Sequence, residues 1–120
     1  MRSGAHNELG ARGESLAAEF LIGKGYAVLA RNLVTRIGEI DLLCQDGDCL
    51  VVVEVKTTTT AGTFNPVDKL DFAKRRKLSL LASQVAARYP DRNVRVDAVT
   101  LYWRHDQSVP VITHFETITS

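Results

Sequence analysis

Residues 36–57 read RIGEIDLLCQDGDCLVVVEVKT. Two apolar-rich runs in this stretch flank Asp46-Gly47. This arrangement predicts a β-hairpin, because both residues of the dipeptide tolerate a positive φ in a two-residue turn. A turn centred on Asp46-Gly47 pairs the two strands so that Glu54 lies opposite Glu39.

The predicted register directs four charged side chains to one face of the hairpin, because side chains alternate between the two faces of a strand. A three-residue loop would shift the pairing by one residue and send the charges of the two strands to different faces. The two-residue turn therefore predicts a patch of three carboxylates and one lysine. Its members are Glu39, Asp41, Glu54 and Lys56, with Asp41 opposite Val52.

Carboxylates that share one sheet face repel each other, which lowers stability unless a cation lies between them. Mg²⁺ or Mn²⁺ is the natural ion because both prefer hard oxygen ligands, and Mg²⁺ also engages substrate phosphates. With a lysine beside it, such an ion is typical of a site that cleaves phosphodiesters. The alternative is a cross-strand ion-pair ladder on a solvated face. One lysine cannot neutralise three carboxylates, so metal binding is favoured.

The rest of the sequence predicts helices and strands on both sides of the hairpin. Apolar residues recur at three- and four-residue steps in two segments, which is the period of a helix with one buried face. Gly25 is expected to end the first helix. Gly10 and Gly13 lie inside it at a cost of about 1 kcal/mol each, which indicates close approach of another backbone or a ligand, and packing alone is the alternative. In chain order the predicted elements are a helix over 7–24, strands over 26–30, 37–44 and 50–55, a helix over 67–89, and strands over 94–103 and 109–118.

The composition is that of an ordinary globular protein. The chain has 120 residues, of which 45% are hydrophobic, and this predicts one domain, residues 1–120, whose core needs no disulfide. No apolar run is long enough for a membrane span or a signal sequence, so a cytoplasmic location is expected. The net charge is only +1, so any affinity for nucleic acid has to come from clustered charges.

The two cysteines, Cys44 and Cys49, are too few for a four-thiolate zinc site or a disulfide framework. The predicted register sets them opposite each other, on the face away from the carboxylates. We expect two reduced core thiols, and a disulfide under oxidising conditions is the alternative. The histidines lack metal-ligand spacing and are expected at surface or edge positions. They are His6, His105 and His114.

The spacing of Asp41 from Glu54-Val55-Lys56, with twelve residues between them, resembles the bipartite motif of the PD-(D/E)xK nuclease superfamily. Ile40 stands where the superfamily name has proline. A longer set of segments is similar to the YraN family of small bacterial proteins, which are described as endonucleases related to archaeal Holliday-junction resolvases. These segments extend over nearly the whole chain and comprise residues 10–14, 24–26, 31–32, 36–42, 46–47, 53–57, 66–67, 74–78 and 95–97.

The resemblance implies an α/β, restriction endonuclease-like fold. Its αβββαβ core has a central mixed sheet flanked by helices, and this chain would add one extra C-terminal strand. The resemblance also implies a site that uses Mg²⁺ or Mn²⁺. The implied residues are Asp41 and Glu54 as metal ligands, the Val55 carbonyl as a third ligand, Lys56 beside the attacking water, Glu14 as the acidic residue of the first helix, and Glu39 as an additional carboxylate of the family.

A basic cluster lies at the beginning of the second predicted helix. Basic side chains bind phosphates and position a duplex without reading its sequence, so the cluster predicts contact with DNA. A solvated helix face is the alternative. Lys74 matches a lysine of the family and is the first choice for a phosphate contact. The cluster comprises Lys69, Lys74, Arg75, Arg76 and Lys77.

These observations predict a Mg²⁺- or Mn²⁺-dependent endonuclease that hydrolyses phosphodiester bonds in structured or branched DNA. A noncatalytic DNA-binding or scaffold protein with the same fold is the second interpretation. An RNA-directed nuclease is the third, since nothing in the sequence distinguishes the two polymers. Resolution of a DNA junction needs two coordinated cuts, so the resolvase analogy predicts a two-fold homodimer.

Overall fold

The computed structural model of the protein describes residues 4–59, 72–104 and 108–118. Within these residues the chain forms two helices and five strands. In chain order they are α1 (Gly4–Gly23), β1 (Ala27–Val34), β2 (Glu39–Asp46), β3 (Cys49–Thr58), α2 (Phe72–Arg88), β4 (Asn93–Tyr102) and β5 (Val111–Phe115). This order confirms the predicted α/β class and the αβββαβ core with one extra strand, consistent with a restriction endonuclease-like fold.

The five strands form one mixed sheet in the order β1-β2-β3-β4-β5. Neighbouring strands are antiparallel except β3 and β4, which are parallel. A parallel pair needs a crossover connection, and α2 lies in the connection between these two strands. The central strand β3 is therefore held by an antiparallel partner on one side and a parallel partner on the other.

Each face of the sheet is covered by one helix. Val51 and Val53 of β3 pack in the core against α1, whereas Leu50 and Val52 pack in the core against α2. A strand that is buried on both faces has a continuous apolar sequence instead of an alternating one. This burial explains the uninterrupted apolar run at the beginning of β3.

Helix α1 ends in a Schellman motif at Gly25. The Gly25 N–H donates to the Ile22 carbonyl at 2.9 Å, and the Tyr26 N–H donates to the Leu21 carbonyl at 3.0 Å. Gly25 has a φ of 98°, in the left-handed region that glycine adopts without steric strain. The predicted end of the first helix is confirmed to within one residue.

The predicted hairpin forms, but its register differs from the predicted one by two residues. Asp46 pairs with Cys49, so the turn residues are Gly47-Asp48 and not Asp46-Gly47. Gly47 has a φ of 59°. A positive φ at the first turn residue is typical of a type II′ turn, in which glycine takes that position. The position of the glycine within the turn therefore sets the register.

The change of register gives each residue a new partner on the other strand but leaves its side chain on the predicted face of the sheet. Val52 pairs with Leu43 and not with Asp41. Because the displacement is two residues and side chains alternate with the same period, the paired residues keep their predicted faces. The prediction that charged groups of the two strands share a face therefore does not depend on the erroneous pairing.

The predicted pairing of the two cysteines is wrong. Cys44 pairs with Val51, and Cys49 pairs with Asp46, so the two thiols are not opposite each other. Both cysteines are free. Cys44 is fully buried in the core against α1, and this burial raises the pKa of its thiol to about 11.

Some predicted element boundaries also differ from the structure. β1 continues to Val34, beyond the predicted end at residue 30, because it stays paired with β2. β5 covers only Val111–Phe115 of the strand predicted over 109–118. Residues 67–71, predicted to begin the second helix, lie outside the described residues. Neither described helix is long and apolar enough to cross a membrane.

Helix α1 packs closely on β3 at Gly13. A Cβ at Gly13 would overlap the Thr57 hydroxyl, so glycine permits this approach. Gly10, by contrast, has open space around it. The close neighbour at Gly13 is therefore a side chain and not another backbone, which agrees with the packing alternative, and no described atom approaches Gly10.

Alanine substitutions at these two glycines should change stability in opposite directions. Gly10→Ala should raise the free energy of unfolding by up to about 1 kcal/mol, because it adds helix propensity without a clash. Gly13→Ala should lower it by roughly 1–2 kcal/mol, because overpacking against Thr57 outweighs that gain. In a Thr57→Ala background, which removes the hydroxyl, Gly13→Ala should stabilise. Urea unfolding measures all four variants, and equal effects at the two glycines would contradict the packing described.

Candidate metal centre

The candidate metal centre lies where β2 and β3 separate. The last paired residues of their ladder are Leu42 and Val53, and Asp41 and Glu54 are the next residues on the two strands. Instead of continuing the ladder, the Val55 N–H donates to Oδ2 of Asp41 at 2.8 Å. The Asp41 side chain therefore replaces a backbone acceptor at the point where the strands diverge.

Four carboxylates converge at this point. Oxygen atoms of Glu14, Glu39 and Asp41 lie within 4.8 Å of one another, and Asp41 is hydrogen bonded to Glu54. We call these four residues the carboxylate cluster. Three of them come from β2 and β3, and Glu14 comes from α1, one residue after the close contact with Thr57. The structure brings together all four acidic residues named from the sequence, although the neighbour of Glu54 is Asp41 and not Glu39.

The pKa of Asp41 is raised to about 7. Burial is the largest cause, followed by the hydrogen bond to Glu54 and the charge of Glu54. The Val55 N–H lowers the pKa, and the more distant charge of Glu14 raises it slightly. Burial and a neighbouring carboxylate both disfavour the ionised form of Asp41, and a cation bound here would favour it.

Three lysines lie beside the carboxylate cluster or next to its strands. Lys56 follows Glu54 on the same face of β3 and is exposed. Lys74, in the first turn of α2, has its Nζ 2.7 Å from Oε2 of Glu54. Lys77, one helical turn further, lies over the backbone of Gly38 just before β2 begins. Two of the lysines are thus supplied by α2, which covers this face of the sheet.

The predicted basic cluster divides between two environments on α2. Lys74 contacts a carboxylate of β3, and Lys77, although exposed, lies over Gly38. The predicted phosphate contact of Lys74 stays a prediction. Arg75 and Arg76 are exposed to solvent. Lys69 lies outside the described residues, so its predicted contact with DNA stays a prediction.

The donor set of this centre fits a hard divalent cation, because carboxylate oxygens are the ligands that Mg²⁺ and Mn²⁺ prefer. The N–H and C=O of one strand residue point towards the same neighbouring strand. The Val55 carbonyl is therefore directed into the same gap as its N–H, which reaches Asp41. Asp41, Glu54 and the Val55 carbonyl could hold such an ion, with Glu14 or Glu39 completing the ligand set.

A second group of potential metal ligands lies on β4, β5 and the residue that follows β5. Its members are Asp97, His114 and Glu116. Asp97 is fully buried and accepts a hydrogen bond from Arg95 Nε at 3.1 Å. The same guanidinium also lies 3.6 Å from Glu116. Arg95 pairs with both carboxylates and His114 pairs with Asp97, so the group forms an ion-pair network.

His114 belongs to this network. It lies on β5, an edge strand of the sheet, as predicted, although its side chain is buried. Its side chain is 3% exposed, its Nε2 lies 2.9 Å from Oδ2 of Asp97, and its Nδ1 lies 2.7 Å from Nζ of Lys24. The sequence signal for the network is Asp97, a charge within an apolar strand, which needs a partner when it is buried. The other two histidines lie outside the residues whose side chains are described.

Comparison with known proteins shows what this chain resembles as a whole. The model of "Uncharacterised protein family UPF0102" matches residues 13–101, which include the carboxylate cluster and the lysines beside it. A UPF0102 protein of Rhodococcus opacus is 41% identical over 114 residues, which cover 92% of this chain and 95% of that protein. One from Clavibacter michiganensis is 42% identical over 98 residues, covering 80% and 83%. One from Symbiobacterium thermophilum is 49% identical over 80 residues, covering 67% and 68%.

Replacing Asp41 by asparagine should stabilise the metal-free protein at alkaline pH. The pKa of Asp41 is raised from 3.8 to about 7 on folding, so the folded protein binds a proton that the unfolded chain releases. Its stability therefore falls as the pH rises through this interval. Asparagine offers Val55 an oxygen and Glu54 an N–H at every pH. We expect the stabilisation by Asp41→Asn to increase by roughly 2 kcal/mol from pH 5 to pH 8.

Thermal unfolding in EDTA across this pH range measures the effect. The matched control is Glu19→Gln, which removes an exposed carboxylate from α1. It should leave the pH dependence of the parent unchanged. If Asp41→Asn and the parent lose stability in parallel between pH 5 and pH 8, Asp41 does not hold the proton.

Proposed function

The chain belongs to the uncharacterised protein family UPF0102, and from the geometry of its carboxylate cluster we propose that it is a Mg²⁺- or Mn²⁺-dependent endonuclease that cuts structured or branched DNA. UPF0102 is the YraN family, so the resemblance found in the sequence motifs is confirmed. The names of the relatives state no activity. The proposal therefore rests on the site.

The observation that carries the proposal is the convergence of carboxylates where β2 and β3 separate. Oxygens of Glu14, Glu39 and Asp41 lie within 4.8 Å of one another, and the pKa of Asp41 is raised to about 7. Such crowding destabilises the folded protein when every group is ionised. It is useful where the groups bind a divalent cation, because the ion removes the repulsion and gains hard oxygen ligands.

A bound divalent ion would supply polarisation of the scissile phosphate and a water of lowered pKa. Asp41 and Glu54 would hold it between the two strands, together with the Val55 carbonyl. Glu14 and Glu39 lie close enough to Asp41 to contribute a ligand or to accept hydrogen bonds from metal-bound waters. Because the ligands would come from two paired strands and from helix α1, the ion would be held by rigid elements of the fold.

Lys56 is suited to act on the attacking water or on the phosphate. It lies two residues after Glu54 on the same face of β3, which separates the two positions by roughly 7 Å along the strand. β3 stays paired with β4 through Thr58, so the backbone that carries Lys56 is held in the sheet. Its exposed ammonium can donate to the water or stabilise the charge that develops on the phosphoryl oxygens.

The substrate part of the proposal depends on charge and on the family resemblance. Arg75 and Arg76 are exposed on the helix that covers the site, where they can bind phosphates without reading the sequence. Branched DNA, a two-fold dimer and a cytoplasmic location come from the sequence alone and stay proposals. RNA as the substrate stays an alternative.

A noncatalytic DNA-binding protein is the second candidate, and one contact favours it. Nζ of Lys74 lies 2.7 Å from Oε2 of Glu54, so the carboxylate cluster already has a cation beside it. A nuclease-like fold that had lost its metal could keep the acidic residues if lysine neutralised them. This candidate predicts DNA binding without cleavage in either Mg²⁺ or Mn²⁺.

Replacement of Glu54 by alanine should abolish metal-stimulated cleavage. The purified protein is tested on labelled linear, flap and four-way DNA and on matching RNA, each with Mg²⁺, Mn²⁺ or EDTA. We expect the parent to cleave branched DNA only with metal. We expect Glu54→Ala to lower that rate by about 100-fold or more, because an ion ligand is lost. Circular dichroism checks that the variant is folded.

The matched control is Glu19→Ala, which removes an exposed carboxylate from α1 and should cleave at the parental rate. Equal cleavage by Glu54→Ala and the parent would remove the proposal. DNA binding by the parent without cleavage of any substrate would establish the noncatalytic candidate instead. Preferential cleavage of the RNA set would retain the nuclease and change its substrate.

A further inference from the structure

Lys74 is held against the carboxylate cluster by the packing of its own helix. It lies on the side of α2 that also carries Leu78, Leu81 and Val85, at helical spacings of four, seven and eleven residues. These three apolar residues are buried against the sheet. The helix face that is anchored in the core thus directs Lys74 towards Glu54 in the middle of β3.

The contact between these two residues is a partly buried ion pair. The distance between Nζ of Lys74 and Oε2 of Glu54 is 2.7 Å, and only 17% of the Glu54 side chain is exposed. Glu54 is also hydrogen bonded to Asp41. The same carboxylate therefore serves as partner to the lysine, as neighbour to Asp41 and, in the proposed function, as ligand to a divalent ion.

An ammonium group and a divalent ion cannot share this carboxylate without repulsion. Metal ligation brings an ion to about 2.1 Å from a carboxylate oxygen. With Lys74 in its present position, the two cations would then lie only a few ångströms apart. Like charges at that separation repel strongly in a partly buried site, because solvent screens them less than at the surface. Binding of one cation therefore opposes binding of the other.

We propose that Lys74 is the internal counterion of the metal-free site and that an entering divalent ion displaces it from Glu54. The inference rests on the proposed function, since it assumes that the carboxylate cluster binds the ion. Lys74 keeps its proton during the exchange and moves from the carboxylate to solvent. The apparent affinity of the site for metal is consequently lowered by the free energy needed to break the ion pair.

The experiment measures Mn²⁺ binding to the full chain at pH 8 without DNA, using the electron paramagnetic resonance signal of free Mn²⁺. Lys74→Gln and Lys74→Met remove the competing charge, and we expect both to bind Mn²⁺ roughly three- to tenfold more tightly than the parent. Lys74→Arg keeps the charge and should stay within about twofold of the parent. Two neutral variants are used so that the test can still be made if one of them does not fold.

The matched control is Arg88→Gln, which removes one exposed positive charge from the last turn of the same helix. It should change the affinity by less than about twofold, because a distant exposed charge is screened. Parental or weaker binding by both neutral Lys74 variants would overturn the inference, as would equal tightening by Arg88→Gln. A purely structural role for Lys74 would lower stability without raising metal affinity.

Asp41→Asn separates failure of this inference from failure of the proposed function. If parental Mn²⁺ binding is lost in Asp41→Asn while the neutral Lys74 variants bind like the parent, the metal site stands and the counterion is rejected. If the parent binds no Mn²⁺, or if Asp41→Asn binds it as well as the parent, the carboxylate cluster is not the metal site. Both proposals then fall together.

Discussion

The carboxylate of Asp41 controls the point at which two neighbouring strands separate. It accepts a hydrogen bond from the Val55 N–H at 2.8 Å, and so satisfies a backbone donor where the β2–β3 ladder ends. A backbone donor left unpaired in a buried sheet would cost on the order of 1–3 kcal/mol. This one bond lets β3 continue beside β4 while β2 turns away, and it opens the gap in which the carboxylate cluster lies.

Much of the fold and part of the site follow from local sequence patterns. Asp46-Gly47 predicts a hairpin, and the strand period then predicts that Asp41 and Glu54 share a face. The pairing was wrong because either residue of the dipeptide can begin a two-residue turn, and only the backbone decides that Gly47 does so. The predicted face was correct because the error in the register was two residues, which is the period of side chains along a strand.

The contributions of the helices could not be predicted from local patterns in the same way. The approach of Glu14 to Asp41 depends on how α1 crosses the sheet, and the contact of Lys74 with Glu54 depends on how α2 packs on the sheet. Both are consequences of tertiary packing between segments far apart in the chain. The burial of His114 has the same origin, because Asp97 on β4 and Lys24 after α1 become its neighbours only in the folded sheet.

The two-residue period of the hairpin limits how its turn can change in evolution. Residue substitutions at the tip, or the gain or loss of two residues, preserve the face on which Asp41 and Glu54 meet. The gain or loss of a single residue in one strand would invert every side chain of that strand beyond it, so one of the two acidic residues would enter the core against α1. Related chains should therefore differ in the composition of this tip outside the glycine position, and hardly at all in whether its length is odd or even.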